Sequence, residues 1–172
     1  LIEITSLSDD DTARDALEAI LGLALEDEII VDAVVAQSEA QCVALWGLRE
    51  GVPEAQRHEG TGSIKHDVSV PVSRVSEFLR EANKRVHQQM PATRICAFGH
   101  MGDGNIHYNV NQPFEMDKDV FLDQWDIFKK IVHDLVNDMD GSVSAEHGIG
   151  LLKREDMAIY KNPVALDLMR AV

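Results

Sequence analysis

The chain has 172 residues, which is enough for one domain or for two small subdomains that share a core. Apolar residues make up 45% of the sequence, yet no apolar run approaches the roughly 20 residues that a transmembrane helix needs. The formal net charge of −14 argues against a nucleic-acid partner, because phosphate binding requires clustered Lys and Arg, and it repels anionic ligands at long range.

The first part of the chain is predicted to contain strands and helices in alternation. Residues 1–5 are strand-like, and a helix with leucines at helical spacing follows. A β-branched run over residues 29–35 predicts a buried strand. Ser38 opens a second helix with a capping box. The inner stripe of that helix consists of Cys42, Leu45, Trp46 and Arg49.

The remainder of the chain continues the alternation after a polar loop at residues 58–62. The predicted elements are a strand at 64–70, a helix at 75–86, strands at 94–100 and 106–110 around a turn at 102–105, a long helix at 121–135, and a last helix opened by Asn162 and Pro163. This order fits either a parallel α/β sheet or an α+β sheet with helices on one face, and the pattern alone does not separate the two.

The cysteines and the first residues bear on the cellular context. Cys42 and Cys96 are far apart and form no CxxC motif, so we expect two reduced, partly buried thiols in a reducing compartment such as the cytoplasm. A single disulfide is the alternative. No basic segment precedes an apolar one, so no secretory signal is visible. The absence of an initial Met suggests a piece of a longer protein, or a trimmed form.

Two polar clusters about forty residues apart suggest a functional site. In the first, His100 and His107 flank the glycine-rich turn at 102–105. Their separation would place them on opposite faces of an uninterrupted strand, but a bend at the glycines can bring both imidazoles to one side. Asn109 would point the same way as His107 and could bond an oxyanion or orient a ligand. In the structural alternative, one histidine belongs to the core and the other is exposed.

The second cluster is Glu146 and His147, in a glycine-rich loop at residues 141–150. Adjacent residues of an extended chain diverge, so one of them could bind a metal while the other faces a substrate. Two imidazoles and a carboxylate fill three positions of a catalytic metal site and leave one open. Such ligands suit Zn²⁺ or Mn²⁺. Alternatively, the loop is an ordinary surface connection after a helix.

Two cations could offset the acidic balance at one spot. Arg49 continues an apolar stripe, so it is predicted to point inward or towards a cleft, where a carboxylate would be its partner. Lys65 lies on the strand face opposite Ile64 and Val68. The alternatives are an arginine that reaches solvent from a helix end and a lysine on a solvated face. Asp103 is interpreted as a turn residue.

The segments at residues 99–107 and 141–150 together resemble a known family, the C-terminal substrate domain of FAD-linked oxidases of the vanillyl-alcohol oxidase type. The closest resemblance is to the D-2-hydroxyacid dehydrogenase group, which includes D-2-hydroxyglutarate and D-lactate dehydrogenases and the FAD subunit of glycolate oxidase. Residues 45–50 and 65–71 match the pattern in the same order. The resemblance implies an α+β domain of two ferredoxin-like halves, with an antiparallel sheet and helices on one face.

The resemblance also implies an activity, the oxidation of a D-2-hydroxyacid to the 2-oxoacid by hydride transfer to a flavin. FAD would be bound mainly by an N-terminal domain that precedes this one in the family. The implied ligands of a divalent metal are His100, His107 and Glu146. His147 would be the base that takes the hydroxyl proton. The substrate carboxylate would be held by Arg49, Lys65 and Asn109.

The expected partners are therefore a small anionic 2-hydroxyacid and the protein's own N-terminal FAD domain, with a homodimer left open and no nucleic acid or membrane span. Two other functions use the same residues differently. A stand-alone metallohydrolase would use the His/His/Glu set and a water, without flavin. A non-catalytic dimerisation domain would have the clusters as structural features only.

Overall fold

The computed structural model describes residues 1–8, 11–58 and 61–172, except for the side chain of residue 57. These residues divide into two compact units, Leu1–Glu59 and Gly60–Val172. The first unit contains three helices among its described residues: α1 (Thr12–Glu26), α2 (Glu39–Glu50) and α3 (Val52–His58). As the capping box predicts, the Ser38 hydroxyl accepts the Gln41 N–H at 3.3 Å, where α2 begins.

Several predictions for the first unit are wrong. Residues 1–5 and 29–35 form no strand, and Val31 is fully exposed. β-branched residues form a strand only where a neighbour supplies hydrogen bonds, and no segment among the described residues pairs with either run. Cys42 is an exposed thiol rather than a partly buried one, whereas Cys96 is half-buried, and neither forms a disulfide. The predicted loop at 58–62 includes residues 59 and 60, which lie outside the described residues.

The second unit is built on an antiparallel sheet. Its strands are β1 (Ser63–Ser69), β2 (Arg94–His100) and β3 (Asn105–Asn111), in the order β1-β3-β2. The register places His107 of β3 between Asp67 of β1 and Phe98 of β2. Because side chains alternate along each strand, one face of the sheet is apolar and the other polar.

Helices cover the apolar face. They are α4 (Val75–Gln89), which follows a 3₁₀ turn at Val72–Arg74, and α6 (Trp125–Asp138). The buried core combines strand and helix residues, among them Ile64, Val68, Tyr108, Phe78, Val86, Phe128 and Val132. The prediction of an α+β fold, with an antiparallel sheet and helices on one face, is confirmed.

The C-terminal helices differ in part from the prediction. The single long helix expected at 121–135 is broken into α5 (Lys118–Leu122) and α6. α7 (Arg154–Tyr160) was not predicted, whereas α8 (Pro163–Ala171) begins at Asn162 as expected, and the Asn162 side chain accepts the Val164 N–H at 2.9 Å. Among the described residues, no helix combines the length and the apolar character needed to cross a bilayer.

Candidate metal centre

The turn between β2 and β3 sets the positions of the two histidines. His100 ends β2 and His107 lies within β3, and the register places both on the polar face of the sheet. The turn closes through Gly104, which has φ +74° and whose carbonyl accepts the Val70 N–H at 3.1 Å. A Cβ at this position would lie 1.9 Å from the Val70 carbonyl oxygen, so only glycine fits.

The loop after α6 brings the second cluster to the same face. Ser142 and Ser69 exchange two backbone hydrogen bonds of 2.8 and 2.9 Å, which fixes the start of the loop beside the end of β1. Gly141 permits this approach, because a Cβ there would lie 2.3 Å from the Ser69 carbonyl oxygen. The Ser144 hydroxyl donates to the Gly148 carbonyl at 2.6 Å and closes the loop around Glu146 and His147.

The structure brings the three residues predicted as metal ligands together. The Glu146 carboxylate lies between the two rings, with Oε1 3.5 Å from His100 Nε2 and Oε2 3.6 Å from His107 Nε2. Two ligand atoms that are each about 2.1 Å from one tetrahedral ion lie about 3.4 Å apart. The donor types suit a divalent cation of the zinc class, and the distance from Glu146 to each ring is close to this spacing.

A second carboxylate, Asp67, also borders this cluster. The set of ligand atoms that all lie within 4.8 Å of one another comprises Asp67, His107 and Glu146 rather than the predicted three. Asp67 is 5% exposed, and its oxygens already accept three hydrogen bonds. Asp67 therefore borders the cluster with its oxygens already engaged, and the ligand role of His100, whose ring is accessible, remains a prediction.

The hydrogen bonds of Asp67 connect the strand to the loop. Its Oδ2 accepts the backbone N–H groups of Glu146 at 2.9 Å and His147 at 2.8 Å, and its Oδ1 accepts the Asn105 amide at 3.0 Å. Burial alone would raise the pKa of this carboxyl group, but the three hydrogen bonds and the nearby His147 ring outweigh burial and hold the pKa below its ordinary value.

His147 is the most accessible imidazole of the cluster, with a side chain that is 68% exposed. Its Nδ1 lies 3.5 Å from Asp67 Oδ2, and its ring stacks on that of His107 with a centroid distance of 5.5 Å. Glu146 therefore faces the two other histidines, while the adjacent His147 presents a ring to the open side.

The predicted substrate residues lie in different parts of the structure. Lys65 and Asn109 are cross-strand partners on the polar face, one row along the strands from Asp67 and His107. Lys65 is exposed and Asn109 is buried. Arg49 is a half-buried residue of α2 in the first unit, and its role remains a prediction.

Asp67 is the residue at this site that the sequence analysis missed. Strand parity already placed it on the same face as Lys65, two residues away, so its orientation was readable from the sequence. Its partners were not readable, because Glu146 and His147 reach it through a loop 79 and 80 residues further along the chain.

Comparison with known proteins gives a consistent result. The family described as "FAD linked oxidases, C-terminal domain" matches residues 1–172. A D-2-hydroxyglutarate dehydrogenase of Stutzerimonas stutzeri (strain A1501) is 39% identical over 148 residues, covering 86% of this chain and 32% of that protein.

Eukaryotic relatives show similar identities. A putative mitochondrial D-lactate dehydrogenase of Schizosaccharomyces pombe is 36% identical over 86% of this chain and 29% of its own length. A mitochondrial D-2-hydroxyglutarate dehydrogenase of Arabidopsis thaliana is 33% identical over 100% of this chain and 29% of its own length. The chain thus spans about a third of the length of the curated relatives it matches.

Proposed function

The chain belongs to the family of C-terminal domains of FAD-linked oxidases, and on that premise we propose that it is the substrate- and metal-binding part of an FAD-dependent oxidoreductase. The proposed reaction oxidises a D-2-hydroxyacid to the 2-oxoacid. The rest of the enzyme would include an N-terminal FAD domain, in agreement with the greater length of the relatives.

The observation that carries this proposal is the convergence of His100, His107 and Glu146 beside a solvent-accessible His147. In the proposed site the first three residues hold a divalent cation. When bound, the cation would withdraw electron density from the hydroxyl group of the substrate and lower the pKa of that group. His147 then needs to be only a modest base to take the hydroxyl proton at neutral pH.

The substrate is proposed to bind along the polar face of the sheet. Lys65 and Asn109, one row from His107, would hold the substrate carboxylate, and Arg49 is proposed to assist. This anchorage would orient the C2 hydrogen, and a flavin held by the FAD domain would supply the hydride acceptor. A few cations at short range thereby overcome the net charge of −14, which repels anions only at long range.

The experiment is a pair of ligand substitutions in the full-length protein reconstituted with FAD. We expect D-2-hydroxyglutarate or D-lactate to reduce an acceptor dye in the wild type, and His100→Ala and Glu146→Gln each to abolish turnover and bound metal. The matched controls are His58→Ala and Glu115→Gln, which change exposed residues outside the cluster. Full turnover by both ligand variants would rule out the metal assignment.

A separate preparation, the 172-residue chain without flavin, tests the alternative of a metallohydrolase. That alternative predicts that the 172-residue chain with Zn²⁺ hydrolyses a simple ester or phosphate ester without flavin. We expect no hydrolysis, because the family and the named relatives support oxidation. Elemental analysis after dialysis addresses the dimerisation alternative, which predicts no bound metal.

A further inference from the structure

We propose that Asp67 is the positioning residue of the site, and that its one carboxylate fixes both the loop that carries Glu146 and the ring orientation of His147. This inference rests on the proposed function, in which Glu146 is a metal ligand and His147 is the base. It assigns to Asp67 no contact with the substrate or the cation.

The side chain of Asp67 holds the loop through backbone hydrogen bonds. Two consecutive backbone N–H groups, those of Glu146 and His147, point at the same oxygen of Asp67 at 2.9 and 2.8 Å. Backbone amides that converge on one anion fix the local path of the chain, because both dihedral angles between them are constrained. The other oxygen is bound by the Asn105 amide, so the carboxylate itself cannot rotate freely.

The same side chain faces two imidazole rings. The Nδ1 atoms of two imidazoles face the same carboxylate, that of His107 at 3.8 Å from Oδ1 and that of His147 at 3.5 Å from Oδ2. These separations exceed hydrogen-bond length by about half an ångström, as catalytic pairs often do before a ligand closes the site. A carboxylate at Nδ1 favours a proton there and leaves Nε2 as the basic nitrogen.

In both rings Nδ1 would therefore carry the proton, and Nε2 would keep its lone pair. Nε2 of His107 faces Glu146 at 3.6 Å, where a metal ligand must have a free lone pair. Nε2 of His147 becomes the atom that can accept a proton from substrate. The two rings stack at 5.5 Å with an interplanar angle of 29°, so an error in one orientation would disturb the other.

Lys153 supports Asp67 through its backbone carbonyl. Its ammonium donates to the backbone carbonyl of Asp67 at 3.3 Å and to that of Val143 at 2.8 Å. The Ala145 N–H also donates to the Asp67 carbonyl at 3.3 Å. Residue 67 is therefore bonded to the loop through both its backbone and its side chain, and the same lysine directly precedes α7.

The first test measures the wild-type site, and a site variant serves only to assign the signals. In the metal-free 172-residue chain with ¹⁵N-labelled histidine, measured where the rings are neutral, we expect His147 to carry its proton on Nδ1, with the signals assigned by their loss in His147→Gln. Isolated neutral histidine prefers the Nε2–H tautomer, so a His147 ring in that form would overturn the proposal.

The second test compares substitutions at residue 67. Asp67→Ala should shift the His147 ring towards Nε2–H and weaken Zn²⁺ binding, measured against a chromophoric chelator, by about 10- to 100-fold. Asp67→Asn should keep the His147 tautomer near wild type, whereas its amide nitrogen would face His107 Nδ1 and should weaken Zn²⁺ binding. Its side-chain oxygen can still accept the loop amides, and Asn105 can turn its unpaired Oδ1 towards the new amide. A folded Asp67→Ala variant with unchanged tautomer and Zn²⁺ affinity would overturn the proposal.

The control separates positioning from general stability. Asp156→Asn changes another buried carboxylate, which lies on α7 away from the loop amides, and should lower the melting temperature without altering tautomer or Zn²⁺ affinity. If Asp67→Ala does not fold, the wild-type and Asp67→Asn tautomers decide, because Nε2–H in either would contradict the assignment. None of these measurements needs flavin or turnover, so failure of the proposed reaction would be seen separately.

Discussion

Cross-strand rows on the polar face of the sheet separate the proposed metal ligand His107 from the proposed substrate residues Lys65 and Asn109. His107 shares a row with Asp67, and Asn109 shares the next row with Lys65. Side chains on the same face of neighbouring rows are about 6.7 Å apart along a strand. A carboxylate bound at the second row can thus lie within reach of a cation held at the first, without competing with its ligands.

This arrangement predicts a specific kinetic change for Lys65→Met in the full-length enzyme. The substitution keeps most of the length of the side chain and removes its charge. Because a charged hydrogen bond contributes about 1.5–3 kcal/mol, KM for the hydroxyacid should rise by about 10- to 100-fold. Bound metal should not change. Lys84→Met, on an exposed position of α4, is the matched control, and an unchanged KM in Lys65→Met would show that the carboxylate binds elsewhere.

At the scale of elements, two close backbone contacts hold the site together, and both require glycine. Gly104 brings the β2–β3 turn against Val70, and Gly141 brings the loop after α6 against Ser69. Val70 and Ser69 are adjacent at the end of β1. Both site segments are therefore anchored at one place on the strand, and a displacement there would separate Glu146 from the histidines.

Gly141→Ala tests this anchorage. A Cβ at residue 141 would lie 2.3 Å from the Ser69 carbonyl oxygen and 2.8 Å from a methyl group of Val136, so the loop must move. We expect a loss of about 1–3 kcal/mol in the free energy of unfolding and weaker Zn²⁺ binding. Gly102→Ala, where nothing lies within 4 Å, should change stability by less than about 0.5 kcal/mol. Equal effects of the two substitutions would contradict this account.

The elements that sequence predicts well are those specified by local signals. β2 has the predicted bounds, α4 covers the predicted helix at 75–86, and α8 directly follows the predicted cap, Asn162. Periodicity and capping depend on neighbours in the chain, so they are readable without coordinates. The run at 29–35 failed because a strand requires a partner that local sequence does not specify.

The site was predictable to a similar depth. The glycine-rich motifs drew attention to His100, His107 and Glu146, whose side chains the structure brings together. Asp67 lies in neither of these glycine-rich motifs. Its role depends on two amides from a distant loop, and a carboxylate in an alternating strand is usually solvated, so only the folded structure distinguishes it.

At the scale of the whole second unit, a buried polar cluster joins the sheet to α6 and α7. His66 of β1 and His133 of α6 are 3% and 2% exposed, and their rings lie 5.9 Å apart. Asp156 of α7 lies 3.6 Å from His133 Nδ1. The other charged groups around them are Lys129, Asp134 and Lys153.

Burial sets the protonation state of this cluster. It lowers the pKa of His66 to about 3, against the opposing effect of a hydrogen bond to the Tyr108 carbonyl, and the His133 ring and Lys153 lower the pKa further. It lowers the pKa of His133 to about 4, although Asp156 acts in the opposite direction. Both rings are therefore neutral in the folded protein at neutral pH, whereas in the unfolded chain they titrate near 6.5.

These pKa values predict that the protein loses stability on mild acidification. Below pH 6.5 the two histidines of the unfolded state bind protons, whereas in the folded state they stay neutral until the pH approaches 4. The free energy of unfolding therefore falls as the pH falls. The slope should approach about 1.4 kcal/mol per pH unit for each histidine. Urea unfolding between pH 7.5 and 5 measures it, and this range lies above the region where Asp67 and Asp134, whose pKa values are lowered, begin to contribute.

Substitution of one ring isolates its share of the slope. His133→Leu removes one of the two buried titrating groups and should reduce the slope by about half between pH 6.5 and 5, whatever its effect on stability at pH 7.5. His58→Gln, which changes an exposed histidine of the first unit, should leave the slope unchanged. The loss of stability with falling pH arises from the buried cluster only if His133→Leu reduces the slope and His58→Gln does not. A slope that survives His133→Leu intact would instead assign the acid sensitivity to groups outside the cluster.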